Sequence, residues 1–132
     1  MTMTRRSLFV AAAATGAALT FAGTTAALAG GAKGTFEGRS NHVTTGSVTV
    51  VKEGDRYIVE LGDDFSLDGG PDPRVALGKD GTYDPDTKLG ALLNLTGKQR
   101  YVVPATWDIS AHNEVYIWCE VAGVPLGVAK IN

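Results

Sequence analysis

The sequence predicts an all-β fold, a small antiparallel β-sandwich or partly closed β-barrel, preceded by a cleavable signal peptide. Three observations carry this reading. Short runs alternate apolar and polar residues and are bounded by Gly, Pro, Asn or Asp. No amphipathic helical pattern follows the N-terminal segment. Residues 115–121, Val-Tyr-Ile-Trp-Cys-Glu-Val, have the β-branched and aromatic density of a strand and carry the only cysteine.

Residues 1–29 read as a targeting segment. Arg5 and Arg6 form a charged start with no acid beside them, and residues 8–19 are an Ala-rich apolar run too short for a bilayer span. Ala27-Leu28-Ala29 is a small-residue cleavage box that places the cut before Gly30. Thr4-Arg5-Arg6-Ser7-Leu8-Phe9 also resembles the twin-arginine export motif, with Leu8-Phe9 in reversed order and Val10 where Lys is frequent. That route moves folded proteins, often with a cofactor in place. Export by the twin-arginine or the general secretory route leads to the periplasm, the cell envelope or the extracellular space. No cysteine follows the cleavage box to hold a lipid, and no later apolar run reaches membrane-spanning length, so no membrane span is expected in the mature chain.

Residues 30–132 suit one β domain. Residues 30–34 are small and read as a mobile leader. Residues 46–51 put Val48 and Val50 on one face, Lys52-Glu53-Gly54-Asp55 is turn chemistry, and residues 56–61 return with Tyr57, Val59 and Leu61 on one face. Residues 62–73 hold Gly, Pro and acids and read as a loop with Phe65 and Leu67 tucked beneath it. A brief strand over 74–77 carries Val75 and Leu77. Residues 79–88 read as a surface excursion with turns at Asp80-Gly81 and Asp84-Pro85-Asp86. Residues 89–95 read as irregular. Residues 99–103 place Tyr101 and Val103 on one face before Pro104. Ala122-Gly123 turns the 115–121 strand into a return strand over 124–131.

Composition narrows the function classes. The signal takes two of the 12 basic residues and none of the 14 acids, so the mature chain is mildly acidic, which argues against nucleic acid or an anionic membrane as partner. One cysteine cannot close a bridge within the chain, so Cys119 is a free thiol, a ligand, or half of an intermolecular bond such as a Cys119-linked dimer. On a strand it shares a face with Val115, Ile117 and Val121, which is also the pattern of a small buried hydrophobe. A reactive thiol needs a nearby cation or exposure, and Lys130 or His112 are the residues that could supply positive character. His42 and His112 are the only imidazoles. With Cys119 they are the candidate cofactor ligands; a strand-edge residue and a loop residue are the plainer readings of the two histidines. No spaced metal motif exists, so no metal is assigned. The mature chain lacks Met for a blue-copper or Met/His haem site, and a lone cysteine excludes covalent c-type haem. The cofactor is unknown; haem ligated by Cys or His stays open without a motif to indicate it. Acids at 63–72 and 80–86 do not fit a calcium loop, and Asp72 after Pro71 reads as a turn former. No Gly-x-Ser-x-Gly elbow supports a hydrolase. Trp118, Tyr116 and Trp107 line a binding face or cover the second face of a sheet.

A set of residues in order carries a resemblance. These are Phe36, His42, Gly46 and Val48, then Asp64-Phe65, Gly70-Pro71-Asp72 and Val75-Ala76-Leu77. Gly97-Lys98-Gln99-Arg100-Tyr101-Val102-Val103-Pro104 follows, then Val115-Tyr116-Ile117-Trp118-Cys119 and Gly127-Val128-Ala129. In this spacing, from about Gly34 to Asn132, the chain resembles the DM-thirteen family, also called the electron-transfer DM domain. The resemblance implies redox chemistry through a cysteine that falls on Cys119, as a bare thiol or as a ligand to a group such as haem. Two functions are therefore weighed. One is an exported redox or electron-transfer domain centred on Cys119, with an unidentified redox or envelope partner. The other is a non-catalytic cell-envelope binding module in which Cys119 is structural. Either is closer to a redox or binding domain than to a stand-alone enzyme.

Overall fold

The alternating runs fold as strands, connected almost everywhere by the turn residues that the sequence supplies. The structure is a computed structural model that describes residues 31–132; the expected signal peptide lies outside the described residues. The strands in chain order are β1 (Gly31–Gly38), β2 (Thr44–Thr45), β3 (Ser47–Glu53), β4 (Arg56–Leu61), β5 (Ser66–Leu67) and β6 (Pro73–Lys79). They continue with β7 (Thr82–Tyr83), β8 (Gly90–Ala91), β9 (Gln99–Val103), β10 (Glu114–Cys119) and β11 (Val124–Lys130). Two 3-10 turns, Pro85–Thr87 and Ile109–Ala111, are the only helical segments among the described residues.

All pairings are antiparallel, and the main sheet runs β7-β6-β10-β11-β1-β3-β4-β9, with β8 also on β6 and β2 pairing β5 apart. Among the described residues no pairing joins β9 back to β7, so the sheet is a curled half-barrel with two open edges. Its inner face encloses one core. Val48, Val50, Val59, Leu61, Tyr101 and Val103 from one half meet Val75, Leu77, Val115, Ile117, Cys119 and Ala129 from the other. Phe65 and Leu67 lie beneath the 62–73 loop as the pattern predicts, at 1% and 2% exposure, and Phe65 packs edge-on against Phe36 at 5.4 Å.

The small residues expected as a mobile leader instead form β1. The reason is backbone pairing, which leaves no side-chain signature: Gly31–Thr35 pairs with β3, and Phe36–Gly38 pairs with β11. Lys33 and Asn132 add two backbone hydrogen bonds of 3.2 Å at the far end of β11. One strand thus joins both halves of the sheet. Gly34 sits where they approach most closely, since a Cβ there would lie 1.9 Å from the Lys130 carbonyl oxygen. The Cys119 strand is also shorter than expected. It stops at Cys119, and Val121 stands 70% exposed in a four-residue turn closed by a hydrogen bond from the Gly123 N–H to the Cys119 carbonyl at 2.8 Å. The 79–88 excursion is partly a hairpin. Asp80 and Gly81 both have positive φ, 50° and 88°, the geometry of a tight turn matched to strand twist, and β7 returns along β6.

Gly34→Ala should therefore destabilise the protein by more than about 3 kcal/mol, the upper end of overpacking costs, because the obstructing atom is backbone rather than a flexible side chain. Denaturant unfolding checks this; an unchanged midpoint would mean that β11 does not pack against Gly34.

Candidate functional site

β10 is covered on both faces, and the two faces carry different chemistry. Val115, Ile117 and Cys119 point inward with no exposed surface, whereas Glu114, Tyr116 and Trp118 point outward. Glu114 and Tyr116 are nevertheless buried too, at 3% and 5% exposure, and Trp118 is half-buried.

Cys119 ends the strand. Its partners in the sheet are Pro73 on β6 and Val124 on β11, both uncharged. The turn after it is held from two sides. The Glu120 N–H donates to the Asp72 carbonyl at 3.0 Å, and the Lys88 ammonium donates to Glu120 Oε2 at 2.5 Å. Asp72 is more than a turn former, because its carboxylate takes the Arg74 guanidinium two-fold, Nε at 3.0 Å and Nη2 at 3.2 Å. The Gly70-Pro71-Asp72 segment thus braces the sulfur-bearing end of β10. Lys130, a residue that could supply positive character to the thiol, pairs across from Glu114 at the opposite end of the strand.

The two histidines are each committed elsewhere. His42 Nδ1 lies 2.8 Å from Asp68 Oδ1, and Asp68 Oδ2 also accepts the Val43 N–H at 2.9 Å. These contacts, the Val43 N–H first, hold the Asp68 carboxyl below its usual range. His112 Nε2 lies 3.0 Å from Asp84 Oδ2, and its Nδ1 lies 3.2 Å from the Asp108 carbonyl. The Asp84 carboxyl is lowered mainly by His112 and then by the Asp86 N–H. Among the described residues no group of three or more His, Cys, Asp or Glu could hold a metal ion. Cys119, His42 and His112 do not fit a haem either: the sulfur has no exposed surface, and each imidazole is engaged by its own carboxylate. A Cys119-linked dimer requires an exposed thiol, and in this closed fold the sulfur is buried.

The outer face of β10 holds a site of which the residue pattern marked Tyr116 and Trp118 but not Glu114 or Tyr83. The Gly81 N–H lies 2.9 Å and 3.0 Å from the two Glu114 oxygens, and the Tyr116 hydroxyl donates to Glu114 Oε1 at 3.2 Å. Asn113 pins the same turn, donating to Asp80 Oδ1 at 2.7 Å and accepting the Asp80 N–H at 2.9 Å. Gly78 on β6 leaves room for the Tyr116 ring, because a Cβ there would lie 2.4 Å from Tyr116 Cε1. Tyr83 on β7 meets Tyr116 edge-on at 5.9 Å and stacks on Trp118 at 3.8 Å with 5° between the planes. These rings, with Arg39, Glu114 and Lys130, line an open groove of about 1000 Å³. Burial, then the charge and hydrogen bond of Glu114, push the Tyr116 phenol up to about 12. Nothing in a linear reading marks Glu114 as buried, since an acid at a strand start is ordinarily solvated. Asp80-Gly81 was the available signal for Tyr83, because a tight hairpin turn returns the following residues along β6.

Other residues quoted for the resemblance are structural. Gln99 Oε1 accepts the Tyr101 hydroxyl at 2.6 Å and the Asn94 N–H at 3.1 Å, while its Nε2 donates to the Asn94 and Gly97 carbonyls at 2.9 and 3.1 Å. The Leu93 N–H donates to the Tyr101 hydroxyl at 2.9 Å. Gln-x-Tyr therefore anchors the 93–97 loop from inside.

A family model described as electron transfer DM13 matches residues 35–131. The chain belongs to that family. The DM13 match runs from β1 past β11 and so includes both faces of β10. Membership indicates an electron-transfer-related role for the domain. No curated protein and no solved structure matches the chain. Among the described residues no helix is long and apolar enough to cross a membrane.

The Tyr116 geometry gives a pH signature. The phenol is raised from its ordinary 10.0 to about 12, so the folded state holds this proton more tightly than the unfolded chain. Its contribution to stability should be complete below pH 10 and disappear as pH rises toward 12. Burial raises the Tyr83 and Tyr101 phenols as well, so ultraviolet titration of tyrosinate should show a late step that Tyr116→Phe diminishes; a wild-type titration without that step contradicts the burial of the phenol.

Proposed function

We propose that this chain is an exported electron-transfer domain in which Cys119 is the redox thiol, closed in the resting fold and reached when the β10–β11 turn opens. The observation that carries the reading is position: the only cysteine is the last residue of its strand, directly before an exposed turn, rather than at mid-strand. Family membership supports an electron-transfer role. A turn closed by the Gly123–Cys119 bond, and tied to its surroundings by one backbone bond to Asp72 and one surface ion pair to Lys88, can open without unfolding the sheet. The complete burial of Cys119 favours a second reading, a non-catalytic envelope module whose cysteine is core. The two differ in how the sulfur becomes accessible.

Thiol labelling of the purified protein across low denaturant concentrations decides between them. Local opening predicts native-state labelling faster than global unfolding and nearly independent of denaturant. Glu120→Gln weakens the Lys88 latch and should speed that labelling by about two- to fivefold, as expected for one partly exposed ion pair. Labelling that simply follows global unfolding supports the structural cysteine.

The export proposal rests on Arg5-Arg6 and Ala27-Leu28-Ala29. N-terminal sequencing of the envelope or secreted form should begin at Gly30. Replacing Arg5 and Arg6 by Lys should block export by the twin-arginine route and leave general secretion intact.

A further inference from the structure

We propose that the outer face of β10 is a second redox site, in which Tyr116 is oxidised by one electron through Tyr83 and Trp118 while its proton passes to Glu114. Cys119 plays no part in it. Trp118 is half-buried and lines the open groove, so an acceptor can approach its ring. Tyr83 stacks on Trp118 at 3.8 Å, and Tyr116 meets Tyr83 at 5.9 Å, so the three rings form a connected path along the groove from half-buried Trp118 to buried Tyr116. Electronic coupling falls steeply with distance, and rings in contact provide the shortest steps.

The proton decides where the oxidation comes to rest. An oxidised phenol is strongly acidic, and inside a protein it settles as a neutral radical only where a base takes its proton. Tyr83 Oη is buried with no hydrogen-bond partner among the described residues, so its ring can pass an electron but cannot release the proton. Tyr116 donates to a carboxylate oxygen at 3.2 Å. Tyr101 donates only to the amide oxygen of Gln99, a far weaker base. Glu114 is kept in place by Gly81 through both oxygens, and the Asp80–Asn113 contacts hold that turn. The step balances with a high-potential one-electron acceptor, the class of organic radicals and high-valent metal centres. The acceptor gains one electron, the Tyr116 O–H bond breaks, and an O–H bond forms on Glu114. The products are a neutral tyrosyl radical, a protonated Glu114 and the reduced acceptor.

Flash photolysis of the full chain with a ruthenium polypyridyl sensitiser and an irreversible quencher supplies such an acceptor. The expected result is a tyrosyl radical, seen by transient absorption and by electron paramagnetic resonance of frozen samples. Tyr116→Phe should replace it with a tryptophanyl signal. Glu114→Gln, which keeps an acceptor for Gly81 but removes the base, should slow tyrosyl formation on the order of a hundredfold. Circular dichroism identifies which variants are folded. If Tyr116→Phe does not fold, selective fluorination of tyrosine in the wild type reports through its hyperfine pattern whether the radical is at Tyr116 or at half-buried Tyr57. A wild-type-like tyrosyl yield in folded Tyr116→Phe, an unchanged rate in folded Glu114→Gln, or a radical assigned to Tyr57 would overturn the proposal. Cys119→Ala should leave the tyrosyl signal intact; its loss there would likewise overturn the claim that this site works without the thiol. Failure of the thiol reading, detected by labelling, leaves these outcomes unaffected.

Discussion

The double pairing of β1 is the constraint on which the other features rest. A curled antiparallel sheet encloses a core only if its two halves are fastened edge to edge, and here a single strand is hydrogen-bonded to β3 along its first residues and to β11 along its last. The fastening is backbone to backbone, with Gly34 admitting the Lys130 carbonyl at a distance no side chain would permit. Once β11 is fixed, β10 is fixed between β11 and β6, and so is the placement of every group discussed as chemically active.

A central strand buried on both faces must satisfy two different environments. The inner face of β10 does so with Val, Ile and a cysteine, groups that need no partner and gain from leaving water. The outer face carries a carboxylate and a phenol, whose burial is tolerable only with hydrogen bonds, and it obtains them from the Asp80-Gly81 turn and from each other. The short β7 hairpin therefore has a purpose that its length conceals. It satisfies Glu114, and it supplies the ring that lies between Tyr116 and Trp118.

The placement of charges follows the same logic. The ion pairs sit where water still reaches them and where their individual worth is small, as with Lys88–Glu120 and Arg74–Asp72. Both belong to segments bracing the turn beyond Cys119, which is consistent with an end of the sheet that is closed but not deeply locked. Glu114, by contrast, has no such ion-pair partner among the described residues and is held by neutral donors.

Much of the fold was legible because strand periodicity is local. Val48 with Val50, Val59 with Leu61, Val75 with Leu77, and Tyr101 with Val103 each reveal a buried face within a few residues, and all are buried. Cys119 could likewise be placed on the apolar face of its strand from its neighbours. The sequence by itself thus determined the fold class, the principal hairpins and the side of the sheet on which the thiol lies. Tertiary structure alone decided that a glycine-rich segment becomes the joining strand, that the histidines are bound to distant carboxylates, and that Glu114, Tyr116, Tyr83 and Trp118 meet. Those outcomes depend on contacts between residues far apart in the chain, about which local periodicity carries no information.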